Sequence, residues 1–341
     1  MSVLVAILAL LALLVVGLVI FAWAMRNRVE RAVPARGLRI EVDGHHIHYV
    51  DSDPEGVDRP AIVLVHGLGG QLQNLTHSLA PLLEDEFRVL AIDRPGSGHS
   101  KRARGTGGSV NDYADAVRGF IEALGLERPV VVGHSLGGAT AIAVAMRHPQ
   151  AIRGIVLVAP VTDLPDETPG VFAPLLIHQN WRRHMIAWTL ATPLGLRNGK
   201  RTAEIVFAPE PVPDDFGTRG GALLGLRPSN FHSATLDLTS LGETLPLLKE
   251  RYEEITVPVA IIHGTRDVIT PFGPNAQAQA PRLHADLKAL EGRGHMIPIT
   301  AAQDVADFVS THARQWFAEA DTSTTAPRTA TPLRGEGEPV K

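Results

Sequence analysis

The chain has 341 residues, 45% of them hydrophobic and 20% charged, which is ample material for a buried core and for one α/β unit carrying an insertion. A formal net charge of -4 supplies no basic footprint, so no nucleic-acid partner is expected. The absence of cysteine excludes disulfides, thiolate zinc sites, cysteine-ligated iron–sulfur clusters and cysteine nucleophiles.

From Val3 to Ala24 every residue is apolar or Gly. About 22 residues at about 1.5 Å rise cover roughly 33 Å, enough to cross a hydrocarbon core of roughly 30 Å. The stretch predicts a membrane helix rather than a cleaved signal peptide, because only Met1-Ser2 precede an apolar run longer than a signal peptide uses. Trp23 suits the interface, and Arg26, Arg28, Arg31 and Arg36 follow at once. The positive-inside bias therefore predicts a single-pass anchor with the bulk of the protein in the cytoplasm; residues 1–36 are the anchor and its basic flank.

Residues 37–51 alternate apolar and polar around Asp43-Gly44, the signature of a β-hairpin. Strand alternation separates His45 from His46 and His48, and no carboxylate pattern accompanies them. A solvated hairpin without a metal site is expected.

Ala61 to Val65, Phe87 to Ile92, Val130 to His134, Ile155 to Val158 and Val259 to Gly264 are short apolar runs of the kind buried in parallel sheets. A weaker strand runs from about Ala285 to Leu290. Helical patterns from about Leu72 to Leu83 and Asn111 to Leu124, and after Ser135, alternate with these strands. With the hairpin, this predicts a doubly wound, mostly parallel, eight-stranded sheet with helices on both faces. Residues 161–257 lack strand signals and predict an inserted helical cap, with Trp181 and Trp188 in its core. The α/β core then comprises 37–160 and 258–320, ending in a helix from about Ala301 to Ala318, and the Thr-, Pro- and Gly-rich tail 321–341 is expected to be disordered.

The β-branched run before Gly133-His134-Ser135-Leu136-Gly137 and the helix-forming segment after it describe a strand, a sharp turn and a helix. Gly133 and Gly137 flank Ser135 because a Cβ there would block the close approach of helix and strand. Serine needs a base within hydrogen-bond reach and a third group to orient that base. Asp267 and His295, each following a strand, supply them in the order Ser, Asp, His. Two backbone N–H donors complete an acyl-transfer site: Leu136, directly after the serine, and Leu68, in the loop after His66-Gly67. No metal and no cofactor is called for.

These motifs, together with Asp93-x-x-Gly96-x-Gly98-x-Ser100, Gly264-x-x-Asp267-x-x-x-Pro271 and Gly294-His295, resemble those of the α/β-hydrolase superfamily over about residues 38–318. Ser135 separates the chain from the similar dehalogenases and epoxide hydrolases, which carry Asp at that position. The membrane helix plus cap resembles membrane-anchored esterases of the monoacylglycerol-lipase kind. That resemblance implies a small lipophilic carboxylic ester as substrate, cleaved through an acyl-enzyme by a Ser135-Asp267-His295 triad. Asp163, after the preceding strand, is the lesser candidate for the acid. Carbon–carbon bond hydrolases and perhydrolases share the triad, and a non-catalytic binding protein on the same fold is the third alternative.

Overall fold

The apolar N-terminal run folds as one helix, α1 (Ser2–Ala32), in a computed structural model that describes residues 2–55, 59–165 and 169–324. Among the described residues this is one helix long and apolar enough to cross a membrane. Its two halves differ in environment. Val3 to Val16 is bare, whereas Ala22, Val29 and Val33 form a buried stripe at helical spacing. α1 lies against residues 187–191 and 222–226. Glu30 pairs with Arg227 at 3.4 Å, and the Val33 and Arg36 carbonyls accept from His99 Nε2 at 3.1 Å and His48 Nε2 at 2.8 Å. The second half of α1 is thus fastened to the globular body.

The hairpin β1 (Leu38–Val42) and β2 (His45–Asp51) turns at Asp43 and Gly44, both with positive φ. The outer strand β1 and the turn are largely solvated, as expected, but β2 is not. Of its three histidines only His46 is exposed; His45 and His48 are buried because β2 also pairs with β4 and is roofed by the loop carrying Lys101. His48 Nδ1 lies 2.7 Å from Asp93 Oδ2, and His45 Nδ1 accepts the Ala103 N–H at 3.0 Å, so these rings serve packing.

The remaining strands are β3 (Ala61–Val65), β4 (Arg88–Ile92), β5 (Val130–His134), β6 (Gly154–Val158), β7 (Val259–Gly264) and β8 (Asp286–Leu290). They form one eight-stranded sheet in the order β1-β2-β4-β3-β5-β6-β7-β8, parallel from β4 onward. Side chains alternate between its two faces. Val63, Val65, Val131, Ile155 and Ile261 pack with α3 (Val110–Ala123) and α4 (Leu136–Arg147). Ile62, Leu64, Val132, Val156 and Ile262 pack with α9 (Ala302–Thr324).

Between β3 and β4 the predicted helix shrinks to one turn, α2 (Gln73–Thr76), followed by a 3₁₀ turn at Ala80–Leu82. Pro81 explains the break, since it has no N–H to donate and disfavours helical backbone before it. Residues 321–324 continue α9 rather than starting a disordered tail; the rest of that expected tail lies outside the described residues.

Between β6 and β7 the described residues contain helices and turns but no strand. α5 (Asn180–Ile186) runs through a π-helical turn at Ala187–Ala191 into α6 (Thr192–Phe207), and α7 (Pro228–Lys249) follows. Trp181 is 66% exposed, against the expectation that it lies in the core of this insert. The reason is the face α5 presents to α7: Arg183 is buried and donates to Thr239 Oγ1 at 2.8 Å, which turns Trp181 outward. A last single turn, α8 (Ile297–Thr300), lies just before α9.

Candidate active site

Ser135 stands at the carboxyl edge of β5 with φ 56° and ψ -120°, a conformation a side-chain-bearing residue rarely adopts. Such strain costs on the order of 1–3 kcal/mol and persists only where the surroundings over-determine it. Here three backbone bonds do so: Ser135 N–H donates to Val158 O at 3.1 Å, and Ser135 O accepts from Gly138 at 2.8 Å and Val161 at 3.1 Å. The flanking glycines are steric requirements. A Cβ on Gly137 would stand 2.1 Å from the Val65 carbonyl oxygen, and one on Gly133 would stand 2.1 Å from that of Gly137. The turn therefore packs α4 directly on the sheet and lifts the serine to its rim.

The acid and base arrive from neighbouring strand ends. β7 delivers Asp267 and β8 delivers His295, both at the carboxyl side of the parallel strands, where open α/β sheets bind ligands. His295 Nδ1 lies 2.7 Å from Asp267 Oδ2. Asp267 Oδ1 accepts the N–H groups of Ile269 at 2.8 Å and Thr270 at 2.9 Å, and the Thr270 hydroxyl donates to Oδ2 at 2.8 Å. Burial alone would raise the Asp267 pKa. The charge and hydrogen bond of His295 and the Thr270 N–H outweigh it and hold the carboxyl down to about 2, so it is an anion at neutral pH. Ser135, Asp267 and His295 are all buried. His295 bonds through Nδ1 and its carbonyl, and among the described residues no hydrogen bond joins its Nε2 to Ser135 Oγ. Asp163, the other acid weighed, is instead paired with Lys249 at 2.7 Å.

Gly67 lies against the serine: a Cβ added to it would meet Ser135 Cβ at 2.8 Å and Oγ at 3.3 Å. Leu68 follows it, and Leu136 opens α4 directly after the serine. The N–H groups of Leu68 and Leu136 therefore belong to two segments that approach the same side chain, as an oxyanion hole requires.

Four participants were not singled out from sequence. His134 packs against His295 with ring centroids 4.8 Å apart and planes tilted by 45°, and it donates from Nε2 to the His295 carbonyl at 3.1 Å. Burial, then the nearby His295, lowers the His134 pKa to about 3 and keeps it neutral. Thr270 supports the acid, and its place three residues after Asp267 was the available signal. Arg94, from the Asp93 motif, is fully buried and donates to the carbonyls of His66 and Gly67. Glu210, in the insert, accepts the Gly294 N–H at 3.1 Å and seats residues 208–210 on the loop carrying His295; no local pattern marks it.

Comparison with known proteins bears on this arrangement. A family model described as alpha/beta hydrolase fold matches residues 60–302. A non-heme chloroperoxidase of Streptomyces lividans is 30% identical over 74% of this chain and 90% of its own length. A 2-hydroxy-6-oxononadienedioate/2-hydroxy-6-oxononatrienedioate hydrolase of Burkholderia vietnamiensis is 26% identical over 73% of this chain and 84% of its own. In structure the chain is similar in fold to a membrane phospholipase A described as a bacterial virulence factor, with a TM-score of 0.64, 21% identity, and 96% and 100% of the two chains covered. With the family model spanning well over half of its length, the protein is an enzyme of the α/β-hydrolase family.

Proposed function

We propose that the protein is a serine hydrolase that cleaves a lipophilic carboxylic ester through an acyl-enzyme. The observation that carries this reading is the 2.7 Å bond between His295 and Asp267 beside a serine held at φ 56°. Ser135 Oγ attacks the ester carbonyl while His295 Nε2 takes its proton. Asp267 keeps the imidazole proton on Nδ1 and stabilises the cation that forms. The N–H groups of Leu68 and Leu136 receive the developing oxyanion. His295 then protonates the departing alcohol, and water, deprotonated by the same ring, releases the acid and restores Ser135.

The lipophilic preference rests on α1. A span from Val3 would place the site beside a bilayer, and Arg26, Arg28, Arg31 and Arg36 favour the cytoplasmic side for the catalytic unit. Residues 161–257 act as the cap over a core of 37–160 and 258–320, with residues 208–210 closing against the His295 loop. The test is a panel of p-nitrophenyl esters and monoacylglycerols with wild type and Ser135→Ala, alongside stoichiometric labelling by a fluorophosphonate. Turnover and labelling that vanish in Ser135→Ala support the reading; equal rates from both proteins would overturn it.

A second reading, carbon–carbon bond hydrolysis with the same triad, is favoured by the similarity to the Burkholderia vietnamiensis dienedioate hydrolase. Loss of a ring-cleavage dienone chromophore at a higher kcat/KM than any ester would select it.

A further inference from the structure

Arg94 carries its charge into a place where no water reaches it. Desolvating a guanidinium costs several kcal/mol, and a hydrophobic residue of similar volume is often no less stable there. Its partners explain its presence. Nη1 donates to Asp237 Oδ2 at 3.0 Å, Nε to His66 O at 3.1 Å and Nη2 to Gly67 O at 2.9 Å. Asp237, on α7, is equally buried and also accepts from Arg102 Nη2 at 3.2 Å and from the Tyr113 hydroxyl. Two guanidiniums thus share one carboxylate, which leaves the Arg94 fork free to reach the loop that follows β3.

The Gly67 carbonyl receives three donors: Arg94 Nη2 at 2.9 Å, His66 Nδ1 at 2.9 Å and Gly70 N–H at 3.3 Å. His66 can donate from Nδ1 because its Nε2 accepts the Arg94 backbone N–H at 3.0 Å. A trans peptide is planar, so the C=O of Gly67 and the N–H of Leu68 point in opposite directions. Pinning the carbonyl toward Arg94 turns the Leu68 N–H away from it, and the Gly67 Cα that leads into this peptide already abuts Ser135. A cation on the carbonyl oxygen also polarises the amide and strengthens its N–H as a donor.

We propose that Arg94 is the positioning residue of the oxyanion hole: its guanidinium fixes and polarises the Gly67–Leu68 peptide so that Leu68 N–H receives the oxyanion. Asp237 holds that guanidinium from the insert. The inference rests on the serine-hydrolase reading above, and its test separates the two.

Arg94→Gln and Arg94→Lys are made in the full chain, purified in detergent, and titrated with a fluorophosphonate to count folded sites. kcat and KM on p-nitrophenyl butyrate are measured with the Ki of an alkyl boronic acid, whose adduct on Ser135 places an anionic oxygen in the hole. Loss of one oxyanion donor predicts a kcat per labelled site about 10²–10³-fold lower in Arg94→Gln, with the boronate weakened in proportion. KM should stay within about threefold, because the interaction is made only in the transition state. Arg94→Lys, one ammonium in place of a fork, should fall between the two, and it decides the matter if Arg94→Gln does not fold. A labelled variant that keeps kcat within about fivefold, or loses it with boronate affinity unchanged, overturns the proposal. A wild type that neither labels nor turns over overturns the hydrolase reading instead. Amide hydrogen exchange at residues 67–70 then still reads the positioning: faster in Arg94→Gln if Arg94 holds the peptide, unchanged if it does not.

Discussion

His295 Nδ1 stands 2.7 Å from Asp267 Oδ2, while Oδ1 of the same carboxylate is taken up by the N–H groups of Ile269 and Thr270. The carboxylate cannot rotate without breaking these bonds. It therefore holds the imidazole proton on Nδ1, which in the mechanism proposed above leaves the Nε2 lone pair for Ser135.

Asp267→Asn should lower kcat by about 10⁴-fold with an unchanged melting profile, the effect known for the equivalent change in a serine protease triad, where the wrong imidazole tautomer results. Asp163→Asn should leave kcat near wild type, since Asp163 answers to Lys249. Steady-state rates of the two purified variants on one ester decide the assignment; the reverse pattern would give the role to Asp163.

Thr270→Val should retain the backbone bonds to Asp267 but lose the hydroxyl that reaches Oδ2 at 2.8 Å. A hydrogen bond to a charged group contributes about 1.5–3 kcal/mol, so a loss of roughly 10- to 100-fold in kcat/KM is expected. An unaltered kcat/KM would mean that the backbone donors suffice.

Gly137→Ala should destabilise the fold by about 3 kcal/mol or more, because its Cβ would stand 2.1 Å from a backbone carbonyl that cannot yield. Gly225→Ala, with open space around it, should change stability by no more than about 0.5 kcal/mol. Denaturant midpoints of the two variants test the steric argument.

Burial lowers the pKa of His134 to about 3 and of His66 to about 4, against an ordinary value of 6.5. Above pH 6.5 both rings are neutral in either state and their contribution is complete. As pH falls below it, the unfolded chain binds protons that the folded one refuses. Stability then drops by about 1.4 kcal/mol per pH unit for each ring, down to its folded pKa. Melting temperature should accordingly fall between about pH 7 and about pH 5, and His134→Asn should flatten that slope by about one proton. An identical slope in the variant would remove His134 from the account.

Deleting residues 2–17 should make the protein soluble without detergent and leave its melting temperature unchanged, since the side chains of Val3 to Val16 are exposed. Deleting 2–36 removes Ala22, Val29 and Val33 from their buried seats and the Glu30–Arg227 pair. That deletion should cost about 3 kcal/mol or more. Thermal melts of both truncations separate anchor from core.

Most of the sheet could be read from sequence because a strand buried on both faces is a nearly continuous apolar run. The Ser135 turn was legible for a similar reason: glycines are needed at fixed spacing to let α4 pack on β5. Local pattern failed where partners are remote. Nothing near His48 in the chain announces Asp93, and nothing in α5 says that Arg183 rather than Trp181 faces α7. The apolar length of α1 could be counted, yet the burial of its second half depends on segments about 150 residues or more further along the chain.

The sequence by itself determined the alternating α/β order, the serine turn, and the order of Ser135, Asp267 and His295, because each is encoded in short-range periodicity or in residue type at a strand end. Tertiary structure decided between Asp267 and Asp163 as the partner of His295, and it alone decided what fastens the Gly67 carbonyl and which segment of the insert seats on the His295 loop. Those are contacts between segments far apart in the chain, and hydrogen-bond geometry and the avoidance of unpaired buried charge select them only once the sheet has brought its strand ends together.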